Sequence, residues 1–148
     1  MTLPYEGTIA GMSALSNVEA LLRRFGCSNY GVMTDWEKGQ IIVQFTWKSR
    51  QVSVAASYTG YTEAWKKHHP YNSNYKTRDR WSAKAQNKGE MAVPSILRDW
   101  IKGQVTAIET GVVDFETAFM PHMLASDGRR LIEHAREVMP ALEDHSND

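Results

Sequence analysis

Cysteine and long apolar runs are almost absent from this sequence of 148 residues. The single cysteine, Cys27, excludes an internal disulfide and is typical of a protein in a reducing cytoplasm. No apolar run approaches the roughly 20 residues that a membrane-spanning helix needs. The N-terminus lacks the basic region and apolar stretch of a signal peptide. These absences predict a cytoplasmic protein without a membrane partner.

Motifs that carry chemistry are also missing. The sequence contains no Gly-x-Ser-x-Gly nucleophile turn, no P-loop and no dinucleotide-binding fingerprint. His68 and His69 are adjacent, so their side chains should diverge on regular structure and cannot chelate one ion well. His122 and His134 have no acid or cysteine at ligand spacing. We therefore expect no metal site and no cofactor.

One acidic set keeps a nuclease open as a minor alternative. Glu109, Asp114 and Glu116 are close in sequence, and such carboxylates can hold magnesium. A helix cap at Asp114 and solvent-facing helix positions for the two glutamates explain the same residues more simply. The sequence therefore predicts that the protein is not an enzyme.

Charge is distributed unevenly along a chain whose formal net charge is zero. Residues 65–88 carry seven basic side chains and one acidic side chain, a net charge of +6. Residues 106–148 carry three basic and nine acidic side chains, a net charge of −6. Four aromatic residues are interleaved with the cations of residues 65–88, which we call the basic aromatic segment. Cations and aromatic rings together suit single-stranded nucleic acid, which offers phosphates and flat bases.

The basic aromatic segment is the predicted nucleic-acid-binding site, with single strands favoured. The predicted phosphate contacts are Lys66, Lys67, Lys76, Arg78, Arg80, Lys84 and Lys88. The predicted base-stacking residues are Trp65, Tyr71, Tyr75 and Trp81. Two other interpretations remain open, a solvated surface loop and a docking site for an acidic protein surface. Three interpretations of the acidic residues 106–148 stay open: solvated helix surface, a partner for the basic aromatic segment of a second copy in a homodimer, or a surface that imitates nucleic acid to a host protein.

The pattern of apolar residues predicts one α+β domain, a three-stranded antiparallel meander packed with about four helices. Strands are predicted at residues 30–34, 40–47 and 51–58, joined by short turns. Three strands cannot bury both of their faces, so helices should cover at least one face.

Several local signals set the predicted helix ends. Ser16 and Glu19 form a capping-box pattern, and Gly26 supplies a left-handed stop. Thr62 is predicted to cap a short helix, and Thr77 to open another that runs towards residue 88.

An interruption is predicted after that helix. Gly89 and Pro94 separate it from a helix that starts near Pro94 and ends at Gly111. Asp114 should cap a short helix, and a last helix should end near residue 142. The predicted parts of the single domain are 16–58 (helix and meander), 59–92 (containing the basic aromatic segment), 93–142 (helices) and 143–148 (a frayed tail).

A run of short motifs crosses both halves of the chain. The C-terminal pieces are Ile101-Lys102, Ala107-Ile108-Glu109, Gly111, Phe115-Glu116, Ala118-Phe119, His122 and Asp127-Gly128-Arg129. The N-terminal pieces are residues 23–26, 30–33 and 43–45, and Arg50. The pattern resembles a group of small, mostly uncharacterised proteins of bacteriophages and prophages. The resemblance implies no known reaction, and it implies a mobile-element protein in the cytoplasm of a bacterial host cell.

A protein of this kind has a second possible function. A small phage protein without catalytic motifs can also bind and block a host protein, for example a component of a defence system. The alternative prediction is therefore an inhibitor whose partner is a host protein.

Overall fold

A computed structural model describes the backbone of residues 2–146 and the side chains of residues 2–139. This part of the chain has an α+β fold with a three-stranded antiparallel sheet, as the sequence predicts, and with five α-helices. The helices are α1 (Ser16–Phe25), α2 (Tyr58–His68), α3 (Arg78–Glu109), α4 (Phe115–Phe119) and α5 (Leu131–Ser146). The strands are β1 (Asn29–Asp35), β2 (Gln40–Trp47) and β3 (Arg50–Ser57). Short 3-10 helices occupy Gly11–Leu15, Ser73–Tyr75 and Met120–His122.

The sheet is a meander in the order β1-β2-β3. Val43 at the centre of β2 pairs with Val32 of β1 and with Val54 of β3. Lys48 and Ser49 form the two-residue turn between β2 and β3, and both have positive φ angles, 46° and 66°. Two positive φ angles give a turn whose twist matches that of the strands, which fixes the register of this hairpin.

The main hydrophobic core lies on one face of the sheet. It combines the inward side chains of β2 and β3 with apolar side chains of α1, α3 and α4. Its most buried members include Val18, Leu22, Val43, Phe45, Val52, Ile101, Val105 and Phe119. On the opposite face Gln44 is exposed and Met33 is 54% exposed. The helices therefore cover one face more completely than the other.

α3 is a continuous helix of 32 residues where the sequence predicts two helices. Gly89 is buried inside it, and Pro94 is buried five residues later. Proline removes one helical hydrogen bond, but Val93 and Leu97 on either side belong to the core. Tertiary packing therefore stabilises a continuous helix despite the low helix propensity of Gly89 and Pro94. The predicted interruption is wrong, and the predicted boundary between residues 92 and 93 falls inside α3.

The starts of α1 and α2 also differ from the prediction. α1 continues directly from the 3-10 helix, and the hydroxyl of Ser16 donates to the carbonyl of Ser13 (2.7 Å), so the predicted capping box is wrong. α2 begins after Ser57, whose side chain accepts from the N–H of Gly60 (2.9 Å). Thr62 is buried in the middle of α2, so its predicted capping role is wrong.

Three other helix ends agree with the prediction. Gly26 ends α1 with a φ angle of 107°. Thr77 caps α3 by accepting from the N–H of Arg80 (3.1 Å). Asp114 caps α4 by accepting from the N–H of Thr117 (2.7 Å). In each case the residue type suits the local backbone without help from distant packing.

The last helix is longer than predicted. α5 extends to Ser146, beyond the expected end near residue 142, and residues 147 and 148 of the predicted tail lie outside the described residues. None of the helices in the described part of the chain is both long and apolar enough to cross a membrane.

Candidate nucleic-acid interface

The basic aromatic segment is divided among the end of α2, a loop of residues 69–77 and the first turns of α3. Aromatic side chains hold this loop against the two helices. The indole N–H of Trp81 donates to the carbonyl of His69 (2.7 Å), and the ring of Tyr71 packs edge-on against Trp81, with centroids 5.9 Å apart. These contacts give the loop a fixed position beside the start of α3.

Trp65 is part of the interior. Its side chain is 1% exposed, and its ring packs against His69 (4.6 Å) and edge-on against Tyr75 (6.1 Å). A base can stack only on a ring face that reaches solvent. The prediction that Trp65 stacks on a base is therefore wrong, because the crossing of α2 with its neighbours buries this ring.

The other three predicted stacking rings are half-buried, and each carries a cation over its face. The guanidinium of Arg78 lies 4.6 Å from the centroid of Tyr71. The ammonium of Lys66 lies 5.4 Å from the centroid of Trp81. The ammonium of Lys84 lies 5.7 Å from the centroid of Tyr75. These rings hold cations in place, and a base would have to displace a cation to stack there.

The loop presents Lys76 on an uncommon backbone. Its φ and ψ angles are 72° and −55°, and the N–H of Thr77 donates across it to the carbonyl of Tyr75 (2.9 Å). This is a γ-turn of the rarer, strained hand, which costs about 1–3 kcal/mol for a residue with a side chain. The surrounding ring contacts therefore hold a lysine at the end of the loop, next to the start of α3, against a local energetic preference.

Five of the seven predicted phosphate contacts are exposed. They are Lys67, Lys76, Arg78, Arg80 and Lys84. Among the side chains that the structure describes, none of the five forms an ion pair with a carboxylate. This end of the molecule is therefore a concentration of positive charge that its described neighbours do not compensate.

The two remaining cations have internal contacts. Lys66 is half-buried and lies 3.6 Å from the carboxylate of Glu63. Lys88 is half-buried and donates to the carbonyl of Glu6 (3.2 Å). The carboxylate of Glu6 contacts His69, so the N-terminal segment is fixed across this side of the molecule. Lys66 and Lys88 are consequently less available to phosphate than the five exposed cations.

The start of α3 adds to the positive potential. Arg78 and Arg80 lie in its first turn, where the helix dipole is already positive and cations are disfavoured. Arg80 and Lys84 are one turn apart, and such like-charged pairs cost about 0.2–0.5 kcal/mol. Asp79 is the only acidic residue in the first turn of α3. An anion bound at this end would remove these repulsions.

Glu109, Asp114 and Glu116, the carboxylates considered as a possible magnesium site of a nuclease, each interact with a different residue. Glu109 lies 3.7 Å from Arg24, and Glu116 pairs with Arg50. Asp114 caps α4, and its hydrogen bonds to Thr117 lower the pKa of its carboxyl. In the described part of the chain, no group of three or more histidine, cysteine, aspartate or glutamate side chains could hold a metal ion.

Acidic residues near the start of α5 also have neighbouring cations. Glu137 accepts from Arg129 (2.7 Å), and Asp127 lies 2.9 Å from His134. The backbone N–H of Arg129 and the side chain of His134 lower the pKa of Asp127. Because these acids have partners in their own chain, they are less free to attract the basic segment of a second copy. The predicted homodimer stays a prediction.

The Asp127-Gly128-Arg129 motif has a local structural role. It forms a tight turn in which Asp127 accepts from the N–H of Arg129 (2.9 Å) and Gly128 has a φ angle of 82°. The turn places residue 130 opposite residue 124 in an antiparallel bridge. The motif is therefore accounted for by backbone geometry.

Cys27 has the properties of a structural thiol. It is half-buried beside the core, and burial raises the pKa of its thiol to about 11. A thiol with such a pKa is almost fully protonated at neutral pH, and the protonated form is a poor nucleophile.

The sequence analysis missed one aromatic residue on the same side of the molecule. Trp36 lies in the turn between β1 and β2 and is 81% exposed. It lines a cleft together with Lys66, Ser82 and Gln86 of the basic aromatic segment and its helices. A tryptophan in the short polar turn 35–39 was the available signal, because a tight turn leaves a large ring little opportunity for burial.

Comparisons of the chain with models of protein families, with curated proteins and with solved structures yield no match. The resemblance to bacteriophage proteins and the alternative of a host-protein inhibitor therefore stay predictions.

Proposed function

We propose that this protein binds the phosphate backbone of nucleic acid through the loop 69–77 and the first turns of α3. The observation that carries the proposal is the set of five exposed cations at this end of the molecule, which form no ion pair among the described side chains. Neutralising phosphates with lysine and arginine releases counterions, which is the main source of sequence-independent affinity.

Three features of the surface support this proposal over a merely solvated loop. The cations stand at the positive end of a long helix, where they repel one another and the helix dipole. The rings of Tyr71 and Tyr75 form cation–π contacts with Arg78 and Lys84, respectively. A strained turn presents Lys76. Repulsion and strain of this kind are expected at functional sites, and Asp79 is the single acidic residue in the first turn of α3 that opposes the repulsion.

The experiment is a salt titration of binding to labelled oligonucleotides. Fluorescence anisotropy of a fluorescein-labelled single strand and of the matching duplex is measured from about 50 mM salt upwards. The test variant is Arg78→Ala combined with Arg80→Ala. The matched control is Arg23→Ala combined with Arg136→Ala, which removes the same charge from exposed helix positions elsewhere. Circular dichroism checks that both variants retain the fold.

The wild type is expected to bind, with log affinity falling linearly as log salt rises. The test variant should bind about tenfold more weakly or worse, with a salt slope reduced by about 0.7–0.9 for each lost phosphate contact. The control should retain the wild-type slope. Absence of binding at low salt, or a test variant that matches the wild type in affinity and slope, would overturn the proposal.

A further inference from the structure

Hydrogen bonds fix the turn that carries Trp36, both internally and to α2. The carboxylate of Asp35 accepts from the N–H of Lys38 (3.0 Å), and Gly39 has a φ angle of 63°. The carbonyl of Gly39 accepts from the N–H groups of Tyr58 (3.0 Å) and residue 59 (3.3 Å) at the start of α2. The turn is therefore fixed to α2, and Trp36 projects from a defined position.

Trp36 also differs from the other four tryptophans in its exposure. Trp65 is buried, and Trp47, Trp81 and Trp100 are half-buried. Among the described residues, no lysine or arginine lies over the ring of Trp36 and no aromatic ring packs against it. Of the aromatic side chains near the basic aromatic segment, Trp36 thus offers an open face to a base.

A polar cleft of about 380 Å³ separates Trp36 from α2 and α3. Ser82 and Gln86 place a hydroxyl and an amide in its wall from successive turns of α3, and the amide nitrogen of Gln86 also donates to the carboxylate of Glu90 (3.0 Å). An apolar cleft of about 230 Å³ lies against Trp36 as well, with Met12 and Met91 in its wall. The ring therefore has hydrogen-bonding groups and apolar groups within its immediate surroundings.

The charges of the polar cleft balance. Lys38 and Lys66 line it together with Glu37 and Glu63. Such a cleft suits an uncharged heterocycle with donor and acceptor edges better than it suits a phosphate. Phosphates on either side of that heterocycle would find their partners among the exposed cations of the basic aromatic segment. This division of roles is the one that single-stranded nucleic acid requires, because its bases are unpaired.

We propose that Trp36 is a base-stacking platform for single-stranded nucleic acid, and that the cleft beside it receives the edge of the stacked base. This inference rests on the proposed function and adds to it a preference for single strands over duplexes. It also assigns the stacking role to a residue outside the basic aromatic segment.

The experiment compares Trp36→Ala and Trp36→Phe with the wild type on three fluorescein-labelled probes of about 16 nucleotides. The probes are a single strand, an abasic strand with the same number of phosphates, and a duplex. Trp36→Ala should weaken binding of the single strand by about 5- to 150-fold, the range that loss of one stacked base gives. Its salt slope should stay unchanged because the indole carries no charge. Trp36→Phe should retain most of the affinity.

Wild type and Trp36→Ala should bind the abasic strand with equal affinity. The two proteins should also bind the duplex with equal affinity. The matched control is Val112→Ala, which shortens a side chain that is 75% exposed in the loop after α3, and should change nothing. If Trp36→Ala binds the single strand as tightly as the wild type, or loses the abasic strand equally, the stacking role is overturned. The proposed function then stands, provided that the wild type binds and that Arg78→Ala with Arg80→Ala alters the salt slope. A wild type that binds none of the probes overturns both proposals.

Discussion

Gly89 of α3 lies directly against the carbonyl of Tyr58 at the start of α2. A Cβ atom on residue 89 would be 2.5 Å from that carbonyl oxygen and 2.6 Å from the hydroxyl oxygen of Thr62. The hydroxyl of Thr62 in turn donates to the same carbonyl (3.0 Å). The crossing of α2 with α3 therefore depends on a residue without a side chain, and this crossing positions the basic aromatic segment.

Replacement of Gly89 by alanine should destabilise the fold by about 1–3 kcal/mol, the usual cost of overpacking a well-packed contact. The obstacle is a backbone oxygen, which cannot move away as a flexible side chain would. Urea unfolding followed by circular dichroism measures the change in the free energy of unfolding.

Gly103 provides the matched control, because it lies in the same helix and a Cβ atom at this position would have no neighbour within 4 Å. Gly103→Ala should raise the free energy of unfolding by up to about 1 kcal/mol through its higher helix propensity. Equal effects of the two substitutions would contradict the close contact at Gly89.

The same glycine shows why part of the fold was not predictable from sequence. Gly89 and Pro94 are poor helix residues locally, and local propensity predicted an interruption. The contacts that override this propensity come from α2 and from the sheet, which are distant in sequence. The strands, in contrast, were predicted to within about a residue at their ends, because alternation of apolar residues and short turns are local signals.

A second prediction separates a real helix cap from an apparent one. Thr77→Ala should lower the free energy of unfolding by about 1 kcal/mol, because the threonine side chain satisfies the N–H of Arg80 at the start of α3. Ser16→Ala should change it by less than about 0.5 kcal/mol, because Ser16 makes no capping bond. Urea unfolding of both variants tests the difference. A loss at Ser16 as large as that at Thr77 would contradict the structure.

The clustering of positive charge at the candidate site could be predicted from the sequence, but the exposure of its aromatic rings could not. Clustering of cations in residues 65–88 is visible in the sequence, and five of the seven are exposed. Whether a ring faces solvent depends on which elements cross it. Trp65 lies on the side of α2 that faces the interior, whereas Trp36 lies at the end of a hairpin and stays largely open to solvent. Sequence spacing contains neither piece of information.

A third prediction concerns the pH dependence of stability. His122 is half-buried against the ring of Trp100, with centroids 5.3 Å apart. Burial, and secondarily the charge of Arg130, lower the pKa of His122 below its usual value of 6.5. Well above pH 6.5 the imidazole is neutral in both the folded and the unfolded chain, so it imposes no cost. As the pH falls below 6.5, the unfolded chain takes up the proton more readily, and the free energy of unfolding decreases.

The measurement is the free energy of unfolding of wild type and His122→Gln between about pH 8 and pH 5.5, a range that includes the ordinary pKa of histidine. Glutamine does not titrate, so the variant should lose less stability than the wild type as the pH falls. The difference between the two proteins at the upper end of the range gives the cost of the substitution itself and serves as the internal control. A difference that stays constant down to the lower end would show that protonation of His122 is not linked to folding.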